Sequence, residues 1–228
     1  MTTYLITGAA RGIGLELTKR LIERGDEVWA GVRGPSAALD TLAGRSGGRL
    51  HLLTLEVSDE TSVEQAKAVV GDTPIDVLIN NAGVVGPERQ STTDMDFEGF
   101  ERTLQVNTLA PLRVTQAFLP NIRASRAGKI VTVSSLMGSM RTGRSESIAY
   151  RASKAAVNKL MQGLATDLEA EGIAVASLHP GWVRTDMGGE GADIDVGESA
   201  HGLIGVIDRL ALSGTGRFID WRGNVLTW

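Results

Sequence analysis

No cysteine occurs anywhere in the chain, which excludes disulfides, thiolate catalysis and cysteine-held metals. Histidine is nearly as scarce. His51, His179 and His201 are the only three, and no two stand at helical ligand spacing, so no metal site is expected. Positive charge is not in surplus either. With 23 Lys and Arg against 27 Asp and Glu, the net charge is -4, which gives no basic field for nucleic acid. No apolar run reaches the roughly 18 residues that a membrane span needs. The opening "MTTYLITG" carries no basic start, apolar block and cleavage site in series, so the expectation is a soluble, cytoplasmic protein.

What remains has the composition of a globular domain, with 42% hydrophobic and 22% charged residues over 228 positions. Short β-branched runs alternate with longer helical patterns. Strands are expected near 3–7, 26–32, 50–57, 75–79, 129–134, 174–178 and 216–220. Helices are expected near 12–24, 60–70, 97–122, 150–171 and 197–211. In the first of these, Ile13, Leu17 and Leu21 fall on one stripe and Gly25 stops it. Several strands are almost continuous apolar runs, as required where helices cover both faces of a sheet. The pattern predicts an α/β chain, a single Rossmann domain over 1–228 with a doubly wound, seven-stranded parallel sheet.

The first strand runs directly into "TGAARGIG", which places Gly8, Gly12 and Gly14 between a strand and a helix. Glycines there let backbone approach a phosphate, and the helix N-terminus favours its negative charge. A pyrophosphate of a dinucleotide belongs at that position. The end of the second strand reads "WAGVRGP", so Val32 and Arg33 stand where a ribose-binding carboxylate is often found. Nothing there repels a 2′-phosphate, and Arg33, with Arg11 from the glycine loop, can bind one. NADP(H) is expected, with NAD(H) as the alternative.

Four more landmarks follow: "NNAG" at 80–83, Asn107 in "LQVNTLAPL", Ser135 at the end of "KIVTVSS", and "YRASK" at 150–154. A phenol with an ordinary pKa of about 10 is a poor base near neutrality. An ammonium one helical turn away favours the phenolate and lowers that pKa. Tyr150 and Lys154 have this spacing, and the small residues Ala152, Ser153, Ala155 and Ala156 leave room beside them.

With these motifs in this order the chain resembles the short-chain dehydrogenase/reductase family, nearest to its C-factor and sniffer-like carbonyl reductase branch. "RASKAAVNKL", "HPGWVRTDM" and the ending "GRFIDWRGNVLTW" add to the likeness. The resemblance implies a carbonyl reductase or alcohol dehydrogenase acting on a small-molecule substrate. By the same resemblance Tyr150 is the acid/base, Lys154 its partner and a cofactor ligand, Ser135 the holder of the substrate oxygen, and Asn107 the holder of a relay water. Ser134 and Ser139 stand close enough to be alternatives to Ser135, because the interval to Tyr150 is a little long for the family. Cofactor contacts are implied for Gly8, Arg11, Gly12, Ile13, Gly14, Arg33, Glu56, Val57, Asn81, Ala82 and Gly83. They continue in Pro180, Gly181, Val183 and Thr185, while His179 just before them is structural.

Leu136, Met137, Met140, Arg141, Trp182 and Met187 are candidate walls of the substrate pocket, and a short lid is expected near 186–198. The long helices around 97–122 and 150–171 are the family's usual contact surface, which implies a homodimer or tetramer and leaves a monomer open. The rival reading, drawn from the C-factor likeness, is a signalling protein that binds the cofactor with little turnover.

Overall fold

The structure, a computed structural model, describes residues 1–141 and 143–228. Seven strands form one parallel sheet: β1 (Thr3–Thr7), β2 (Glu27–Val32), β3 (Leu50–Thr54), β4 (Val77–Asn80), β7 (Lys129–Val133), β8 (Ala174–His179) and β9 (Arg217–Asp220). Their order across the sheet is β3-β2-β1-β4-β7-β8-β9, so β1 lies centrally and the winding direction reverses between β1 and β4. Ligands of doubly wound sheets sit at that reversal, beyond the carboxyl ends of the strands.

The interior strands β1, β4, β7 and β8 are apolar on both faces because both faces are covered. Tyr4, Ile6, Val77, Ile79, Val131 and Val133 pack against α1 (Gly12–Arg24), α2 (Ala37–Arg45) and α7 (Val196–Arg209). Their neighbours Leu5, Leu78, Ile130 and Val175 point the other way, onto α3 (Glu60–Val70), α5 (Ala110–Arg123) and α6 (Ile148–Leu168). Strand alternation thus feeds two cores from one sheet. Among the described residues no helix is long and apolar enough to cross a membrane.

Three local differences from the sequence reading have physical reasons. The third strand stops at Thr54, so Glu56 and Val57 lie in the loop beyond it, where the Glu56 N–H donates to Ser62 Oγ. The helix expected over 97–122 is broken into α4 (Phe97–Leu104), a π-helical turn (Gln105–Leu109) and α5, with Pro111 in the first turn of α5. Proline has no N–H to give to the carbonyl four residues back, which here belongs to Asn107. The short helix α2 and a two-residue hairpin, β5 (Gln90–Ser91) with β6 (Asp94–Met95), were not legible from the periodicity.

Candidate active site

The glycine loop is shaped by contacts that admit no side chain. Gly8 has φ +68°, and a Cβ there would stand 2.9 Å from Ala82 Cα. A Cβ on Gly14 would meet Gly8 O at 2.4 Å and Asn81 Nδ2 at 2.5 Å. The "NNAG" segment supplies the other side of this joint. Asn81 Nδ2 donates to Thr7 O and Gly8 O at 3.0 and 3.1 Å, and the Asn81 and Ala82 N–H groups both donate to Thr7 Oγ1 at 3.0 Å. Helix α1 then starts with no side-chain cap and no acidic residue in its first turn, whereas side chains of Ser36, Asp59, Asp96 and Asp195 cap α2, α3, α4 and α7. The first N–H groups of α1 are left for an external acceptor, and Ile13 is half-buried among them. A dinucleotide's pyrophosphate fits this uncapped, Cβ-free turn.

Tyr150 and Lys154 occupy the first turns of α6, with Ser135 facing them from the end of β7. The Ser135 side chain faces the Tyr150 phenol closely enough to favour its ionised form, and its Oγ accepts from Met137 N–H at 3.1 Å. Ser134 is buried, its N–H donating to Leu178 O, and Ser139 lies beyond the turn, so Ser135 is the serine of the three that faces the Tyr150 phenol. Lys154 Nζ is 5.7 Å from the Tyr150 ring centroid and donates to Val133 O at 2.8 Å. Burial lowers the lysine pKa to about 8. Burial pushes the Tyr150 pKa up, and the facing Ser135 hydroxyl draws it only partly back. The lowered phenol pKa expected from the lysine is not found, because desolvation of the phenolate is the largest effect on the group.

Asn107 sits at the middle of the π-helical turn, which is the form such a turn often takes at functional sites. Its amide is fully engaged: Oδ1 accepts from Val84 N, and Nδ2 donates to Val84 O and Ser153 Oγ, at 2.8, 2.8 and 3.0 Å. The side chain thus ties the "NNAG" loop to α6. Gly83 lies between the parts, since a Cβ there would be 3.2 Å from Asn107 Oδ1 and 3.7 Å from Lys154 Nζ.

One positioning residue had no signal in the motifs. Gln90 of β5 accepts the Tyr150 N–H at 3.1 Å and donates to Val85 O and Pro87 O, serving α6 in place of a local cap. Ser147 holds no such bond and takes a left-handed conformation at φ 55°. His179 Nδ1 accepts from Leu136 N at 3.3 Å, which anchors the turn after Ser135 and gives this histidine the structural place expected for it.

At the opposite end Arg33 Nη1 stands 3.8 Å from Glu56 Oε2, so two expected adenosine-side residues do meet. Glu56 Oε1 is held by Ser58 at 2.8 Å, and Val57 is buried. Arg11 is turned to a different partner, Asp186, at 3.0 Å. The segment after Pro180 covers the glycine loop. A Cβ on Gly12 would come within 3.4 Å of Thr185 Cγ2, Val183 bridges to Ile194, and Gly181 has φ +87° where Ile194 and Trp221 leave no room for a side chain. Pro180 O accepts from Ser199 Oγ at 2.7 Å. The expected lid is shorter than 186–198, because Asp195 caps α7 and the helix begins at Val196. Of the expected pocket walls, Leu136, Met137 and Arg141 line one cavity, while Met140, Trp182 and Met187 are exposed outside it.

The family model described as short chain dehydrogenase matches residues 2–193. C-signal of Myxococcus xanthus is 44% identical over 156 residues, covering 68% of this chain and 93% of that protein. NADPH-bound carbonyl reductase from chicken fatty liver superposes with a TM-score of 0.93 at 32% identity, over 100% of this chain and 99% of that one. Carbonyl reductase Sniffer of D. melanogaster gives 0.92 at 32% identity, over the whole of both chains. The glycine turn, the "NNAG" clamp and the Ser135, Tyr150 and Lys154 cluster thus stand in a chain that belongs to the short-chain dehydrogenase family.

Proposed function

We propose that this protein reduces the carbonyl group of a small organic substrate with NADP(H) as hydride source. The observation that carries the reading is Tyr150, faced by Ser135 and one helical turn from a buried Lys154 whose Nζ stands 5.7 Å from its ring. Gly8, Gly12, Gly14 and the open start of α1 would hold the pyrophosphate, Arg33 the 2′-phosphate, and Val183 and Thr185 the nicotinamide end. When bound, the cofactor supplies the hydride that reaches the carbonyl carbon.

The chain's own groups handle the oxygen. Ser135 Oγ and the Tyr150 hydroxyl together bind the carbonyl oxygen, and the phenol gives it a proton as negative charge develops. A raised phenol pKa keeps Tyr150 protonated at neutral pH, which is the state a proton donor needs. After transfer the phenolate is stabilised by the Lys154 ammonium, whose pKa of about 8 lets it exchange protons near neutrality. Nζ spends one donor on Val133 O and has two more to give. Asn107 contributes through its main chain. Its carbonyl, which Pro111 has no N–H to engage, would accept the relay water.

Tyr150→Phe is expected to lower kcat by about 10²–10⁴-fold, the usual value of a positioned acid, while NADPH binding persists. A rate within a few-fold of wild type on aldehydes, ketones and quinones would remove Tyr150 from its role. The signalling reading has one support, the likeness to C-signal. It gains if the wild type binds NADPH and turns over nothing on that panel.

A further inference from the structure

A cavity of about 530 Å³ is lined by the chain neighbours of Ser135 and Tyr150, and by none of the acid/base or expected cofactor-binding residues. Leu136 and Met137 form one wall, and Val225 and Leu226 of the C-terminal segment form the other. Arg141, Arg144 and Arg151 stand around them. One carboxylate, Glu146, serves two of these three guanidinium groups, 3.6 Å from Arg144 and hydrogen-bonded to Arg151. The Arg151 side chain is only 11% exposed, and its Nε is fixed on Glu146 O at 2.7 Å. Arg141 and Arg144 therefore bring more positive charge to the rim than Glu146 offsets.

Apolar walls with a cationic rim select a ligand of mixed character. A purely polar anion would leave the aliphatic walls wet, and a neutral alkane would leave the guanidinium groups unpaired. We propose that this cavity binds an amphipathic carboxylate, with its alkyl body between Leu136, Met137, Val225 and Leu226 and its head on Arg141 and Arg144. The volume lies within the range of small-molecule pockets. The occupant would bear on the reaction centre through shared backbone. Met137 N–H is bonded to Ser135 Oγ, Leu136 N–H to His179, and Arg151 follows Tyr150 in the chain. The ligand is either the tail of a keto-acid substrate or a separate fatty carboxylate, and the binding chemistry is the same.

The test is calorimetric titration of the full chain with octanoate and with octanol. Octanoate is expected to bind at least about tenfold more tightly, the size of one charge-assisted pairing. Arg141→Gln with Arg144→Gln should erase that preference, and so should Val225→Glu, which sets a carboxylate in the wall. Equal binding of acid and alcohol by the wild type, no octanoate binding, or an unchanged preference in both variants overturns the proposal. Circular dichroism melts check that the variants fold. The source is read from a second pair of ligands, 7-oxooctanoate and 2-octanone. Competition between octanoate and 7-oxooctanoate, with KM raised more for the keto acid than for the ketone in the arginine variant, assigns the cavity to substrate. KM values for both ketones that the arginine variant leaves unchanged, while its octanoate preference is lost, assign it to a separate ligand. The site itself can be tested whether or not the chain turns out to transfer hydride.

Discussion

His179 is held neutral, since burial pushes its pKa down to about 4 against a smaller upward pull from Asp220. The unfolded chain takes up this proton near pH 6.5, the folded chain only near 4. Stability supplied by the neutral ring is therefore full above pH 6.5 and is lost as the pH falls towards 4. The loss approaches roughly 3 kcal/mol at pH 4, and His179→Asn should flatten that part of a urea-unfolding series between pH 7 and 4. At the adenosine end, Arg33→Asp should weaken NADPH binding much more than NADH binding, because it exchanges a 2′-phosphate partner for a repelling charge. Equal losses in fluorescence titrations would take the 2′-phosphate away from Arg33. The Tyr150 and Lys154 pair could be read from the chain because a helix converts a four-residue spacing into a shared face. Gln90 could not, since the N–H it accepts is 60 positions away and no spacing rule spans that distance.

The π-helical turn at Gln105–Leu109 interrupts, two residues before Pro111, an element that periodicity reads as a continuous helix. Apolar residues recur at helical intervals through 97–122, so the pattern gave the helix and hid the break. The signal was present as a proline four residues after an asparagine. Pro111→Ala would restore an N–H and let Asn107 O be closed off by an ordinary α-helical bond. The expected result is a kcat lowered several-fold with KM little changed, and a solvent isotope effect larger than in wild type. Helix α2 was missed for the opposite reason: it is nine residues long and buries only Leu39, so it offers almost no periodic pattern. The strands were legible almost throughout, because residues apolar on both faces are hard to place anywhere except in a covered sheet.

At the scale of the molecule, the candidate cofactor cleft draws on segments from nearly the whole chain. The loop after β1 and the loop after β8 are joined by Arg11 and Asp186, 175 positions apart. A ligand bound there holds several segments at once and should stabilise the entire fold. At a hundred times its Kd, NADP⁺ should add about 2.7 kcal/mol and raise the melting point by roughly 5–10 °C, with a smaller rise for NAD⁺ at the same concentration. Differential scanning fluorimetry checks this without any turnover. The strand order has a further consequence, in time rather than in space. The first of the seven strands along the chain becomes an interior strand between β2 and β4, and the Thr7 clamp waits for Asn81, 74 positions later. None of the seven strands can pair with its neighbour through a hairpin, so every step of assembly must close a long loop. A nascent chain that ends before β8 exposes β7 as a raw apolar edge, and it has Tyr150 and Lys154 without the loop that covers the glycine turn. Refolding should accordingly be slow and concentration-sensitive, and catalytic competence should be the last property to return.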